Sequence, residues 1–159
     1  MEERRKKRVQ DSRSEQSHLI MPKDLNSSGY LFGGMLLAWI DELAGLVGRR
    51  HSEMDVLTVA VDNMYFKEGA REDDTVVLIG KITYVGRSSM EVRIDTYLEA
   101  RDGMRHMINR AYFVMVGVDE NRRPQEVPGL VVESVSEKME WEAGEKRAEL
   151  RKQRRKEGF

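Results

Sequence analysis

The chain of 159 residues has no cysteine, only three histidines and no long hydrophobic run. Without cysteine it can form neither disulfides nor thiolate metal sites, and it has no cysteine nucleophile. His18, His51 and His106 are too scattered to supply the paired ligands of a metal site. The longest apolar run, residues 35–40, is too short to cross a bilayer, and no apolar segment follows the charged residues 1–8. These absences predict a cytoplasmic protein with no metal site and no secretory signal.

Positive charge is concentrated at the two ends of the chain. Residues 1–8 and 145–159 contain 12 of the 27 Lys and Arg but only 5 of the 28 Asp and Glu. A basic tail can bind nucleic acid or an anionic membrane surface. The rest of the chain is acidic, however, and a solvated terminal helix with a frayed N-terminal arm gives the same pattern. We therefore expect neither a nucleic-acid nor a membrane partner.

Hydrophobic patterning predicts one long early helix followed by strands. Residues 32–50 are strongly apolar, contain no proline and are too long for one strand, which predicts a helix. Because this helix is apolar on nearly every side, it should be buried at the centre of the fold. Residues 1–17 are polar and should be disordered or loosely docked. Strands are predicted at residues 19–21, 56–61, 64–66, 75–85, 90–99 and 111–118, a linker at 124–128 and a charged helix from Glu133 onward.

The strand predicted at residues 90–99 shows clean alternation. Met90, Val92 and Ile94 face one way, and Glu91 and Asp95 face the other. This pattern is typical of a strand with one buried and one solvated face. One helix followed by consecutive strands is an α+β arrangement. We predict a curved antiparallel sheet wrapped round the 32–50 helix, plus a charged C-terminal helix.

Asp41 is the most unusual residue of the predicted central helix. A carboxylate buried there would cost several kcal/mol, in order of magnitude, unless it is paired or hydrogen-bonded. Helical spacing places it on one stripe with Gly34, Ala38, Gly45 and Gly48. Each glycine costs roughly 1 kcal/mol relative to alanine, so this stripe predicts close approach by a partner backbone or by a substrate.

The start of the same helix offers hydrogen-bond donors. Gly33 and Gly34 leave free backbone N–H groups at the positive end of the helix dipole, where a developing oxyanion could bind. Asn26, just upstream, can donate and accept. Together with Asp41 these groups form a candidate hydrolytic site, whereas Glu42 has a structural role. Alternatively, Asp41 pairs with an arginine at a subunit interface, Asn26 caps a turn and the glycines serve packing.

Three motifs then occur in a recognisable order. They are Asn26-x-x-Gly29-x-x-Phe32-Gly33-Gly34 with Trp39-Ile40-Asp41-Glu42, Thr58-Val59-Ala60-Val61-Asp62 with Phe66-Lys67, and Gly86-Arg87-Ser88-Ser89-Met90-Glu91-Val92. Together they resemble the hotdog-fold acyl-CoA thioesterases, specifically the acyl-CoA hydrolase group with bacterial broad-specificity and mammalian cytosolic members. The resemblance extends over about residues 18–119. Ser27 stands where many relatives have histidine, so a role for that histidine is excluded here.

The resemblance implies a hotdog fold and acyl-CoA thioester hydrolysis. It divides the chain into a polar arm (1–17), a hotdog thioesterase domain (18–120) and a linker with a basic C-terminal helix (121–159). It also implies a homo-oligomer in which two hotdogs share a continuous sheet, usually a hexamer built as a trimer of dimers. Active sites would lie at the dimer interface, with Asp41 of one subunit acting beside the helix start of the other.

The same resemblance assigns roles to the candidate site residues. Asp41 would activate water as a general base, with direct carboxylate attack as the alternative, and Asn26 would orient the water or the carbonyl. The amides of Gly33 and Gly34 would polarise the thioester carbonyl. No cofactor is implied, since coenzyme A is part of the substrate. Substrate-binding roles fall to Gly86, Arg87, Ser88, Ser89, Lys67 and Thr58.

The segment formed by Gly86, Arg87, Ser88 and Ser89, called the 86–89 turn below, matches the family's CoA-contacting segment. Its amides, hydroxyls and guanidinium suit phosphate, although a tight turn between two strands explains it equally well. Arg147, Arg151 and Arg155 share one face of the C-terminal helix. We expect that face to be solvated, and Arg151, Lys152 and Arg155 are weaker candidates for binding phosphate.

Three other functions are compatible with parts of the sequence. The first is an acyl-CoA-binding regulatory hotdog protein without turnover. The second is a hotdog hydratase or dehydratase, which typically uses a catalytic histidine that this motif region lacks. The third is nucleic-acid binding by the basic tails, in which case truncation after Glu140 should abolish binding and leave hydrolysis largely intact.

Overall fold

A computed structural model describes residues 2–159, so Met1 lies outside the described residues. None of the described helices is both long and apolar enough to cross a membrane. The elements in chain order are β1 (Lys6–Arg8), α1 (Val9–Ser12), β2 (Ser14–Leu19), a 3-10 turn (Pro22–Asp24), α2 (Gly33–Ser52), β3 (Asp55–Val61), β4 (Thr75–Val85), β5 (Ser89–Glu99), β6 (Arg105–Val118), β7 (Gly129–Val131) and α3 (Val135–Glu157).

Five strands form the main sheet in the order β2-β4-β5-β6-β3, and every neighbouring pair is antiparallel. The 86–89 turn joins β4 to β5. The β5–β6 hairpin turns at Asp102 and Gly103, as their turn chemistry predicts, and Gly103 has a φ of +89° that disfavours other residues. The α+β prediction of a curved antiparallel sheet around one long helix is confirmed.

Helix α2 packs on the inner face of this sheet. Leu36, Ile40, Leu43 and Val47 recur at helical spacing, and all four are buried in the main core. Burying such a side chain contributes about 1.5–3 kcal/mol, so this stripe fixes the helix on the sheet. The helix ends where Glu53 adopts a left-handed conformation with a φ of 60° and donates its amide to Arg49.

The rest of the α2 surface is not covered in the single chain. Asp41, Glu42 and Ala38 are exposed there. The prediction that the helix is buried on every side, with Asp41 inside it, is therefore wrong for one chain. The reason is geometric. The sheet covers only one side of the helix, so apolar character alone does not bury a residue on the rest of its surface.

The outer face of the sheet is covered by α3, which the alternation of residues 90–99 did not predict. Glu91 is fully buried and Asp95 is nearly so, so the predicted solvated face is wrong. Gly144 permits the close approach of the helix, because a Cβ there would lie 2.6 Å from Cβ of Tyr84. Arg147 stacks over the ring of Tyr112, with its Cζ 3.7 Å from the ring centroid.

From Lys6 onward the N-terminal residues form regular elements of the fold, which contradicts the expectation of a disordered or loosely docked arm for this part of residues 1–17. Strand β1 pairs in parallel with β7, and β2 forms the edge of the main sheet beside β4. The main sheet therefore begins at Ser14 rather than at residue 18. The predicted strand at 19–21 is displaced accordingly, although Ile20 is fully buried.

The predicted strand at residues 64–66 does not form. After β3 the chain leaves the sheet, and Tyr65 and Phe66 are exposed. Aromatic and β-branched content raises strand propensity, but a strand also needs a neighbour with which to pair. The predicted linker at 124–128 is not free either, because Val127 is buried and donates its amide to the carbonyl of Arg87 at 2.9 Å.

Candidate active site

Asp41 is oriented by a threonine from the neighbouring edge strand. The Thr58 hydroxyl donates to Oδ1 of Asp41 at 2.6 Å. Its Oγ1 also lies 3.4 Å from the sulfur of Met115, beneath the helix. The ladder between β3 and β6 shifts register between Thr58 and Ala60, which is a β-bulge at Val59. Because the hydroxyl engages one carboxylate oxygen, the other oxygen of the exposed Asp41 is free to accept a proton.

Packing within the chain explains the glycine stripe beside Asp41 only in part. At Gly34 an added Cβ would lie 2.6 Å from the ring of Phe32. At Gly45 and Gly48 added Cβ atoms would make ordinary contacts with Met115, at 3.9 Å and 3.5 Å. The single chain therefore has room for a side chain at Gly45 and Gly48, and the close approach of a substrate or partner backbone there stays a prediction.

The start of α2 presents two unpaired backbone donors. Phe32 is the N-cap and provides no side-chain cap. Among the described residues, the amides of Gly33 and Gly34 have no hydrogen-bond acceptor. The Phe66 ring lies beside this start, 3.6 Å from where a Cβ of Gly33 would be. The donor pair predicted from the sequence is therefore present and framed by two aromatic rings.

Asn26 is held in a turn with its carbonyl oxygen occupied. Its Oδ1 accepts from the amides of Ser28 at 2.9 Å and Tyr30 at 3.1 Å. This is an Asx turn, and it assigns Oδ1 and Nδ2 by the hydrogen-bond network. The turn alternative and the catalytic role are thus compatible, because the Nδ2 group is left to donate elsewhere.

Asn26 and the helix start share one pocket, and Asp41 is not part of it. The pocket has a volume of about 350 Å³. Its lining includes Asn26, Tyr30, Gly33, Leu36, Phe66, Lys67 and Ile108. Asp41 is eight residues beyond Gly33, or about 12 Å along the helix axis. One chain therefore brings Asn26, Gly33 and Lys67 together, and separately brings Asp41 and Thr58 together.

The 86–89 turn lies at the same end of the sheet as the Asp41–Thr58 pair. The strand register joins Thr58 to Met115 and Met115 to Met90, which directly follows the turn. Two strand spacings separate the two features by about 10 Å. A single extended ligand lying across the strand ends could therefore reach both.

Arginines of α3 are engaged in ion pairs rather than solvated. Arg147 contacts Glu91 at 2.7 Å, and Arg151 contacts Asp62 at 2.6 Å and Glu91 at 3.1 Å. The expectation of a solvated face is wrong for these two, whose side chains are 22% and 13% exposed. Arg151 is consequently a poor candidate for phosphate, whereas Lys152 and Arg155 remain exposed.

The histidines occupy three unrelated environments. His18 stacks on Trp39 with a centroid separation of 4.0 Å, and burial lowers its pKa. His51 is fully buried, its Nε2 lies 2.8 Å from the Pro128 carbonyl oxygen, and burial lowers its pKa as well. His106 pairs with an exposed glutamate. Across residues 2–159 no cluster of three His, Asp or Glu side chains could hold a metal ion.

Sequence reasoning missed the support of the 86–89 turn. Arg4 donates to the carbonyl oxygens of Gly86 at 2.6 Å, Val127 at 2.8 Å and Arg87 at 3.3 Å. No local pattern marks this arginine, since it is one of several in a basic run.

The chain is similar to known proteins along most of its length. A family model described as "Thioesterase superfamily" matches residues 28–103. An uncharacterized acyl-CoA thioester hydrolase of Bacillus subtilis (strain 168) is 33% identical over 138 residues, which cover 86% of this chain and 80% of that protein. The chain spans 37% of the length of the cytosolic acyl coenzyme A thioester hydrolase of Mus musculus, to which it is 30% identical.

Solved structures agree with these relatives. An apo-hexameric acyl-CoA thioesterase has a TM-score of 0.90 at 36% identity, with 94% of this chain and 97% of that chain covered. The Staphylococcus aureus acyl-CoA hydrolase, solved with butyryl coenzyme A, coenzyme A and coenzyme A disulfide, has a TM-score of 0.90 at 29% identity, over 96% and 93% of the two chains. The resemblance of the three motifs is confirmed: the chain belongs to the acyl-CoA thioester hydrolases of the thioesterase superfamily and has their hotdog fold.

Proposed function

We propose that this protein hydrolyses acyl-CoA thioesters to coenzyme A and a carboxylic acid, and that Asp41 is the general base. The observation that carries the proposal is the exposed Asp41 carboxylate, oriented by Thr58 at 2.6 Å, in a member of the acyl-CoA thioester hydrolases. A fixed carboxylate with one free oxygen can accept a proton from water, which is what hydrolysis requires.

Each active site uses two chains. Asp41 lies about 12 Å from the helix start of its own chain, too far for both to act on one thioester. Strand β3 is the edge of the main sheet, and its Val59 and Val61 side chains are 56% and 49% exposed. Such an apolar edge favours pairing with a second copy. Pairing across β3 would give a continuous sheet, and three such dimers would form a hexamer like that of the apo-hexameric relative.

In the resulting site, water attacks the thioester carbon as Asp41 takes a proton from it. The negative charge that develops on the carbonyl oxygen is stabilised by the amides of Gly33 and Gly34 of the partner subunit, and Nδ2 of the partner subunit's Asn26 orients the water or the carbonyl. The carbon–sulfur bond then breaks, and the proton passes from Asp41 to the coenzyme A thiolate. Attack by Asp41 itself would instead give an anhydride that water hydrolyses. Neither route requires a metal or a cofactor.

Studies of a relative support the choice of residues. The Staphylococcus aureus acyl-CoA hydrolase has been solved with an asparagine, an aspartate and a threonine each replaced by alanine. Those three residues have the same spacing in its chain as Asn26, Asp41 and Thr58 have here. Thr58 is thus a residue that positions Asp41, and its predicted role in substrate binding becomes indirect.

The coenzyme A end of the substrate binds at the 86–89 turn and near Lys67. Arg87 and Lys67 are both exposed, and within the described chain neither forms an ion pair. Their charges are therefore available to the phosphates, which planar guanidinium and point-like ammonium groups both bind. The turn also lies about 10 Å from the Asp41–Thr58 pair, so an extended pantetheine arm can connect them.

Release of the coenzyme A thiol from a panel of acyl-CoAs tests the activity. We expect Asp41→Asn to lower kcat at least about 100-fold, the usual contribution of a general base. Glu42→Gln is the matched control, since this neighbouring acid is also exposed, and it should stay near wild type. Turnover of no acyl-CoA by the wild type, or near-full activity of Asp41→Asn, would refute the proposal. Tight binding without turnover would instead identify an acyl-CoA-responsive regulatory protein.

Co-expression of two inactive variants tests the two-chain site. Asp41→Asn and Asn26→Ala chains mixed at random should regain about a quarter of the wild-type activity, because half of the symmetric dimers are mixed and each has one intact site. If Asp41 and Asn26 act within one chain, every site carries a defect and the mixture stays inactive.

A further inference from the structure

Arg4 precedes β1 and donates hydrogen bonds to the backbone of the 86–89 turn. Its Nε donates to the carbonyl oxygen of Val127 at 2.8 Å, and its Nη2 donates to that of Gly86 at 2.6 Å and that of Arg87 at 3.3 Å. One guanidinium thus joins two neighbouring carbonyls of the turn to the segment that leads into β7. Hydrogen bonds from a charged donor are stronger than neutral ones, so this contact can determine where the turn lies.

The backbone holds Arg4 in register. Lys6 pairs with Gly129 and Arg8 with Val131 in the parallel β1–β7 ladder. The amide of Gly129 also donates to the Arg5 carbonyl at 2.8 Å. The position of Arg4 therefore follows from strand pairing.

Hydrogen bonds fix the backbone of the 86–89 turn, whereas its arginine side chain is exposed. The amide of Gly86 donates to the Ser89 carbonyl, that of Gly117 to the Ser88 carbonyl and that of Val127 to the Arg87 carbonyl, at 2.9–3.0 Å. With Arg4 included, backbone carbonyls at all four positions of the turn accept a hydrogen bond. The Arg87 side chain is exposed and forms no ion pair among the described residues.

We propose that Arg4 is a positioning residue for coenzyme A binding: it fixes the backbone of the 86–89 turn so that Arg87 and the turn's hydroxyls meet the phosphates. This rests on the proposed function, in which the turn binds the nucleotide end of acyl-CoA. An arginine is required, because Arg4 donates from two separate nitrogens, Nε and Nη2, of one planar group, whereas lysine donates from one nitrogen only. Arg4 acts through the turn and does not touch the substrate.

Steady-state kinetics with two substrates test the proposal. Arg4→Gln should raise the KM for acyl-CoA about fivefold to tenfold, the effect of losing charged hydrogen bonds that hold a binding group, and leave kcat unchanged. The KM for an acyl-pantetheine, which lacks the nucleotide and its phosphates, should not change. A merely structural role would alter kcat or the KM of both substrates, and that result would overturn the proposal.

Further variants separate position from charge. Arg4→Lys keeps the charge and should behave like Arg4→Gln; a wild-type KM for Arg4→Lys would overturn the proposal. Arg5→Gln is the matched control, since it removes an equal charge from the adjacent residue, whose side chain pairs with the exposed Glu53, and its KM should remain that of wild type.

A double variant tests whether Arg4 and Arg87 act through the same turn. Adding Arg4→Gln to Arg87→Gln should then raise the KM for acyl-CoA no further than Arg87→Gln alone, and additive effects would contradict this.

The outcome for Arg4 is distinct from the outcome for the function itself. If the wild type turns over no acyl-CoA, the proposed function fails before Arg4 is tested. If the wild type is active and the KM of Arg4→Gln for acyl-CoA equals that of wild type, the proposed function stands and the role of Arg4 is refuted.

Discussion

The two faces of the main sheet are each covered by one helix, and the two contacts differ in chemistry. On the inner face α2 buries aliphatic side chains such as Leu43 and Ile40, both fully inaccessible. On the outer face α3 buries charge, with Glu91 fully inaccessible beneath Arg147 and Arg151. Any well-packed apolar side chain stabilises the inner contact. The outer contact depends on complete pairing, because an unpaired buried charge is far more costly than a paired one.

The largest expected effect comes from removing the outer helix. Truncation after Glu140 deletes Arg147 and Arg151 and exposes Glu91 and the outer face of the sheet. We expect little folded protein, so thermal unfolding should lose its cooperative transition and hydrolysis should disappear with it. This differs from the expectation based on sequence alone, that the tail can be removed without loss of activity. A truncated chain with a wild-type melting temperature and activity would show that the outer contact is dispensable.

Single substitutions compare the two faces directly. Arg147→Met removes two charged hydrogen bonds from the buried Glu91, which keeps Arg151 and the Thr83 hydroxyl, and should cost about 1.5–3 kcal/mol of unfolding free energy. Adding Glu91→Gln should recover part of this loss. On the inner face Leu43→Ala should cost about 2–5 kcal/mol through the cavity that it leaves. Denaturant unfolding measures all three, and a cost for Arg147→Met near zero would mean that Glu91 does not need this partner.

A pair of helix glycines sharpens the same comparison. Gly144→Ala on α3 places a Cβ 2.6 Å from Cβ of Tyr84 and 3.0 Å from Oε1 of Glu91, and such overpacking should cost about 1–3 kcal/mol. Gly45→Ala on α2 meets only Met115, at 3.9 Å, and should stabilise by about 1 kcal/mol through helix propensity. Melting temperatures should therefore move in opposite directions, and a shift of the same sign would contradict the packing described for α3.

The smallest effects are in the pH dependence of stability, where the two faces respond in different ranges. Burial lowers the pKa of His51, in the last turn of α2, from 6.5. The unfolded chain therefore binds a proton there at a higher pH than the folded chain, and stability falls as the pH drops below about 6.5. On the outer face, burial by itself raises the pKa of Asp95. Hydrogen bonds from Arg93 and Arg110 outweigh this effect and lower the pKa below 3.8. Its contribution is present above that pH and is lost only as the pH falls further.

Melting temperatures between pH 7.5 and pH 3 should thus decline in two ranges. His51→Gln should flatten the upper range, and Asp95→Asn the lower one. His18, whose pKa is also lowered by burial, should retain part of the upper decline in the His51→Gln variant. If His51→Gln flattens the lower range, or Asp95→Asn the upper one, the assignment of the two ranges to these residues is wrong.

Local sequence patterns predicted correctly those helices and strands whose signals lie within a short segment of the chain. Strand β4 was predicted at its observed bounds, and α2 and β3 were predicted within two residues of theirs, because their periods and turn residues are properties of short segments. The same patterns failed for residues 64–66 and for the outer face of β5. Alternation identifies two faces, but it cannot show whether another element covers the polar one. A cytoplasmic location stays a prediction.

For the candidate site, the sequence by itself determined the residue types. Asp41, Asn26, Gly33 and Gly34 are identifiable from motif spacing, since helical geometry relates residues close in the chain. Only the tertiary structure decided that Asp41 is exposed, that Thr58 orients it and that Arg4 supports the 86–89 turn. These relations join residues from 17 to 83 positions apart, and contacts over such separations arise from packing and strand register. For this reason Asp41, which the sequence predicted to be buried, is exposed in the structure. It lies about 12 Å from the backbone donors with which it is proposed to act.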